Sequence, residues 1–202
     1  MKKRQFLKKA SGLLVGATAG VWGSSANSAN ALSSQKEAEQ TILTITGDVL
    51  RTNRGKLDPV RDQLMQKHGI KFKNAFTFTL ADLEKLPSKT ISPTMEYDAR
   101  VHKLSGPLLA DVLVEVGFTN PNGATILLHG LDGYSPEISF SKAREYNFIL
   151  ATRIDGNLLS VGGLGPLFAL YDADRIEEIA KKPLDQRFAE CPWGLYCIQV
   201  RA

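Results

Sequence analysis

Polar and apolar positions alternate along residues 41–49 (TILTITGDV), and the β-branched content there predicts a strand. Asp58 followed by Pro59 predicts a helix start, running to about Lys67 and stopped by Gly69. Residues 75–79 read as a short strand. Thr79 then caps a second helix, with Asp82 three residues on, Leu80, Leu83 and Leu86 on one face, and Pro87 as the stop. Residues 90–97 read as extended. Leu108, Leu109, Val112, Leu113 and Val116 recur at helical spacing before Gly117. Residues 120–123 (NPNG) read as a turn.

Beyond that turn the pattern shortens. Strands are predicted at 124–129, 137–140, 148–154, 158–161, 167–171 and 195–200, with helices at 141–146 and 173–181. Asp132-Gly133-Tyr134 and Asp155-Gly156 supply turns, and residues 162–166 (GGLGP) a loop. No repeat and no regular βαβ alternation is visible, so the expectation is one α+β domain over 41–202. A composition of 43% hydrophobic and 23% charged residues agrees with a globular chain.

Charge divides the chain in two. The net +4 comes from residues 1–31, which hold Lys2, Lys3, Arg4, Lys8 and Lys9 and no acid. The rest carries 20 of the 25 basic residues against 21 acidic ones, too little surplus to neutralise a phosphate backbone, so no nucleic-acid partner is expected. Residues 1–31 read as an export signal. A basic stretch precedes a weakly apolar run, and Ala29-Asn30-Ala31 has small residues where signal peptidase needs them. A mature start at Leu32 follows, with an uncleaved anchor as the alternative. Lys3-Arg4-Gln5-Phe6-Leu7-Lys8 resembles the twin-arginine pattern with Lys in its first place, so both export routes stay open.

Six motifs stand in a telling order: LTITG (43–47), FTLADLEKLP (78–87), LSGPLLADVL (104–113), LDGY (131–134), ILA with DG (149–151, 155–156) and GPL (165–167), closed by Trp193 and a last strand. In this order they resemble the molybdopterin-binding domain of the sulfite oxidase superfamily, in its short single-domain bacterial branch. The resemblance implies an α+β architecture of several mixed sheets with the pterin in a central groove. Family enzymes hold molybdenum through one cysteine between the L-P motif and the G-x-x-L helix. Here that stretch, 88–105 (SKTISPTMEYDARVHKLS), has no Cys, and Met95 is a thioether that cannot replace an anionic sulfur. Branch members without the cysteine look like periplasmic pterin-binding proteins that act with membrane-bound cyclic-di-GMP enzymes. The resemblance therefore implies a pterin ligand, of molybdopterin or reduced type, without molybdenum. It also implies a partner in the periplasmic part of an inner-membrane diguanylate cyclase or phosphodiesterase. A molybdopterin-dependent oxidoreductase is the alternative, so whether the chain is an enzyme stays open, as does an interaction domain with no ligand.

A pterin is a flat bicycle with a donor and acceptor edge. It needs a ring to stack on and a carboxylate to accept from its N–H groups. Asp132 and Tyr134 are the first candidates, followed by Arg100 and His102 in the segment that replaces the metal loop, then Arg153 and Phe168. Residues 162–165 allow close backbone approach to a ligand. Each candidate has a plainer alternative: Asp132 as a turn cap, Tyr134 and Phe168 as core, Arg153 as a solvated charge. His68 reads as surface, His129 as a satisfied core histidine, and Ser135 has no identifiable base. Three scattered histidines do not suggest zinc. Cys191 and Cys197 are expected as buried free thiols. Along a straight strand their Cα atoms would be ~20 Å apart at ~3.3 Å per step, and a disulfide allows ~7 Å. A turn at 192–194 would be needed to bridge them.

Overall fold

In chain order the elements are β1 (Thr41–Gly47), α1 (Gln63–Lys67), β2 (Ala75–Thr79), α2 (Leu80–Glu84), β3 (Ser88–Ile91) and β4 (Leu104–Pro107). Then come α3 (Leu109–Glu115), β5 (Thr125–Gly130), β6 (Glu137–Ser139), α4 (Phe140–Glu145) and β7 (Ile149–Ala151). The chain ends with β8 (Arg153–Ile154), β9 (Asn157–Leu158), β10 (Phe168–Leu170), α5 (Glu177–Ala180) and β11 (Leu195–Arg201). The computed structural model describes residues 40–119 and 123–201. The export-signal reading of 1–31, and residues 120–122 of the NPNG turn, lie outside them.

Three sheets carry the architecture, in the orders β2-β1-β11-β5-β6, β3-β4-β8-β9 and β10-β7. The first and last strands, β1 and β11, pair in parallel, and every other strand pair is antiparallel. This is the expected α+β fold of several sheets with few helices. The five-stranded sheet is buried on both faces. Leu43, Ile45, Leu195 and Ile198 face the main core, whereas Cys197 and Tyr196 join Met65 and Ile70 in a second cluster. Cys197 and Ile198 thus point to opposite faces, as strand alternation requires. A register irregularity between Leu195 and Cys197 puts Tyr196 and Cys197 on one side together.

The capping box at α2 forms as its sequence predicts. Thr79 Oγ1 accepts from the Asp82 amide at 3.2 Å, and Asp82 Oδ2 accepts from the Thr79 amide at 3.1 Å. Lys85 and Thr79 hold the Asp82 carboxyl down to about 2. Thr79→Ala is therefore expected to cost about 1 kcal/mol of stability, read from the denaturant midpoint.

Five elements differ from the sequence expectation; the strand read at 158–161 is only the two-residue β9, Asn157–Leu158. Asp58 does cap a turn, accepting from the amides of Val60 and Arg61, but the helix begins only at Gln63 because Asp62 has a non-helical backbone. The run 148–154 is two strands in two sheets: β7 pairs with β10, while β8 pairs with β4. Thr152, between them, donates its amide to Ser105 O and accepts from Leu159 N, which turns the chain from one sheet to the other. The run 173–181 breaks at Ile176, whose backbone is extended. Residues 90–97 leave β3 and fold back in a turn, closed by Met95 N to Arg100 O at 2.8 Å. The backbone of that segment is anchored by carboxylates far along the chain, Asp172 on Ser92 N and Asp174 on Thr94 N.

Candidate functional site

At the end of β5 the LDGY motif builds a tight turn. Asp132 Oδ1 accepts from Tyr134 N at 2.9 Å, Gly133 adopts φ +89°, and Gly130 N donates to Tyr134 O at 2.8 Å. Tyr134 donates its hydroxyl to the Ala189 carbonyl. The turn before β11 lies beside it: Leu131 N donates to Gly194 O and Gly194 N to Leu164 O, both at 2.9 Å. Gly194 has φ +62°, which favours glycine, and Trp193 precedes it.

These two turns, residues 188–192 and the segment 92–103 border an open hollow of about 180 Å³. Tyr97, Tyr134 and Trp193 are 55%, 50% and 38% exposed and form its rim. Glu96 and Asp132 bring carboxylates, and buried Phe188, Cys191 and Pro192 lie deeper. No Lys or Arg lines it. Burial raises the Tyr97 hydroxyl to about 12, helped by Glu96, and burial also raises that of Tyr134. Both stay neutral donors at ordinary pH. The hollow is smaller than the ~300–1,000 Å³ of drug-sized pockets, so it suits a single flat ring system.

The six sequence candidates divide in space. Asp132 and Tyr134 both line the hollow, and Asp132 also caps its own turn. Arg100 is exposed in the same segment as Glu96 and Tyr97. His102 is engaged at both ring nitrogens, Nδ1 to Asp155 Oδ2 at 2.6 Å and Nε2 to Asp98 Oδ2 at 2.9 Å. Arg153 donates to Glu84 at 2.7 Å. Phe168 is 1% exposed in the main core. The glycine loop packs on its own chain: a Cβ on Gly165 would stand 2.4 Å from Leu159 O.

Glu96, Tyr97 and Trp193 were not singled out as ligand contacts by sequence reasoning. Their signal was available: Glu96 and Tyr97 sit inside the very stretch that lacks the cysteine, and Trp193 closes the motif series. Met95, the soft atom in that stretch, is 2% exposed in the core. Three other expectations need correction. His68 is half-buried, its Nδ1 bonded to the Tyr196 hydroxyl at 2.8 Å. His129 is buried with Nδ1 bonded but Nε2 without a partner among the described residues. Ser135 does have an imidazole beside it, at 2.8 Å from His129 Nδ1. Burial lowers the basicity of that imidazole.

Cys191 and Cys197 are both free and buried. Burial pushes the Cys197 thiol up to about 12 and Cys191 higher still, against the opposing hydrogen bonds of Tyr171. Thiolate is the reactive form. Alkylation of the native protein is expected to label neither, and alkylation after unfolding without reductant to label both. A chain unlabelled and 2 Da light would reveal a disulfide instead. Among the described residues no three His, Cys, Asp or Glu side chains are grouped as a metal site.

No family model matches the chain, and no curated protein does. Among solved structures it is similar to the sulfane dehydrogenase SoxCD from Paracoccus pantotrophus, at 15% identity and a TM-score of 0.50. The match covers 78% of this chain and 37% of that one, so the chain spans little more than a third of that structure's length. At this identity the likeness concerns the fold: an α+β, several-sheet, sulfite-oxidase-like architecture.

Proposed function

We propose that the protein binds a pterin in the hollow between the LDGY turn, Trp193 and the segment 92–103, and that it does so without molybdenum. The observation that carries the reading is the pairing of three exposed rings with two carboxylates in one small hollow of a sulfite-oxidase-like fold. Tyr97, Tyr134 and Trp193 offer faces to the bicycle, and Glu96 and Asp132 accept from its N–H edge. A hollow lined by no Lys or Arg suits a free pterin better than the phosphate-bearing tail of molybdopterin.

Molybdenum fits these residues poorly. The segment that should bring a thiolate brings Glu96 and Tyr97. The one thiol in the hollow, Cys191, is buried and held protonated. With no thiolate placed to hold the metal, the role we assign is ligand sensing. Exported by residues 1–31, the protein would report pterin occupancy to the periplasmic part of a membrane-bound cyclic-di-GMP enzyme. The second reading, a molybdopterin-dependent oxidoreductase, draws on the fold likeness to a sulfane dehydrogenase.

Metal analysis and small-molecule extraction of protein exported in its native host separate the two. The expected result is a pterin, fluorescent after oxidation, with molybdenum far below one atom per chain. Stoichiometric molybdenum would overturn the sensor reading. Trp193→Ala is expected to weaken pterin binding by about 1–3 kcal/mol, the usual loss when an aromatic stacking partner is removed. Fluorescence titration with pterin measures it, and an unchanged affinity in a folded variant would exclude Trp193 from the site.

A further inference from the structure

The segment 92–103 walls the hollow through Glu96 and Tyr97. Asp172 and Asp174 hold its start at Ser92 and Thr94, and His102 joins the far side of its turn to the β8–β9 hairpin. His102 Nε2 meets Asp98 Oδ2 at 2.9 Å within the segment. Its Nδ1 meets Asp155 Oδ2 at 2.6 Å on the β8–β9 hairpin. The same Asp155 accepts from Lys103 N at 2.9 Å, and its amide donates to Lys103 O. Asp155 and Ala99 both hold left-handed backbones, with φ +49° and +56°. Two turns that are unfavourable for residues with a Cβ are therefore joined by the Lys103 backbone at their base and by one imidazole between their side chains.

An ionised carboxylate only accepts hydrogen bonds, so both contacts need N–H on the ring. A neutral imidazole has one. Once a proton leaves, one ring nitrogen presents a lone pair to a carboxylate oxygen, and that strut becomes repulsive. We propose that His102 is the positioning residue of the hollow: as imidazolium it bolts the turn bearing Glu96 and Tyr97 to the β8–β9 hairpin, and loss of a proton releases that wall. The inference rests on the hollow being the ligand site.

Asp98 and Asp155 face the ring, and the other charged groups of the two elements are placed by sequence. Glu96, Asp98, Arg100 and Lys103 share its segment, and Arg153 and Asp155 come from the hairpin. Arg153 is itself held by Glu84 of α2. Asp155 and then Asp98 raise the basicity of His102, while His102 lowers both carboxyls. The sign follows. The grip is complete below the ordinary imidazole value of about 6.5 and is lost as pH rises through the raised value. On the acid side it lasts until the depressed carboxyls take up protons, below the ordinary aspartate value of about 3.9.

Trp193 on the facing rim reports the wall directly. In a Trp22→Phe background it is the single tryptophan, and acrylamide quenching is followed from pH ~5.5 to ~9.5, across the imidazole range. Quenching is expected to rise with a one-proton midpoint above the ordinary histidine value. In His102→Gln it should be high and flat. In Asp155→Asn, which keeps one strut and the Lys103 contact, the midpoint should fall. A flat wild-type curve, or one superimposed on that of His102→Gln, would overturn the latch. In parallel, pterin affinity is compared between wild type and His102→Gln, so that the ligand's own titration cancels. A ratio of about tenfold at low pH, within the usual 5–150-fold of coupled sites, should vanish at high pH. Equal affinity at every pH would sever the wall from the site. If neither protein binds pterin while the quenching curves behave as expected, the ligand reading falls and the latch stands.

Discussion

Gly106→Ala is expected to destabilise the fold by more than about 3 kcal/mol, the range reached when a core is overpacked with no means of relief. A Cβ at this position would stand 1.9 Å from Leu150 O, 2.7 Å from the Leu150 carbonyl carbon and 2.9 Å from Ala151 Cα. All three are backbone atoms, so no side chain can rotate away. Gly106 lies on β4, in the four-stranded sheet, and Leu150 lies on β7, in the two-stranded one. The glycine therefore sets how closely the two sheets approach. Parting them would disturb the Lys89 pairing on β3 and the Ala169 pairing on β10 together. Urea denaturation measures the loss. Gly55→Ala, where nothing lies within 4 Å, is the control and should be nearly silent.

Phe168→Ala is the second large effect, about 3–5 kcal/mol, as for other fully buried aromatics cut to alanine. Phe168 is 1% exposed and sits on β10 opposite Ala151, inside the main core. The cavity left behind is walled by strands of fixed register and cannot readily collapse. Because the side chain does not line the hollow, the folded fraction should bind pterin as tightly as the wild type. A Phe168→Ala protein of unchanged stability and weakened pterin binding would return Phe168 to the site. The contrast with Trp193→Ala is the point of the pair. One ring holds the fold and the other waits on the rim.

What could be read from the chain follows its local chemistry. The capping box at Thr79, the helix face of Leu109, Val112 and Leu113, and the Asp132 turn all depend on residues within a few positions of one another. Each appears where the spacing placed it. The α+β class follows too, since short alternating runs without βαβ spacing leave few other architectures. Two of the five residues that give the hollow its rim rings and carboxylates were legible for the same reason, because Asp132 and Tyr134 belong to one motif.

The remainder depends on residues far apart in the chain. That 148–154 is two strands depends on Ser105 and Leu159 bonding Thr152. That 90–97 turns back depends on Asp172 and Asp174, 80 residues away, taking the amides of Ser92 and Thr94. His102, Arg153 and Phe168 are ordinary polar or apolar positions in one dimension. Asp98 and Asp155 engage the first, Glu84 pairs the second, and two packed sheets bury the third. The sequence by itself determined the capping box at Thr79, the Asp132 turn, the class of fold and the absence of cysteine from 88–105, because these are properties of neighbouring residues and of composition. The tertiary structure alone decided that the same stretch reaches the hollow with Glu96 and Tyr97 to face Trp193, because that meeting is made by contacts between distant segments, which no local pattern encodes.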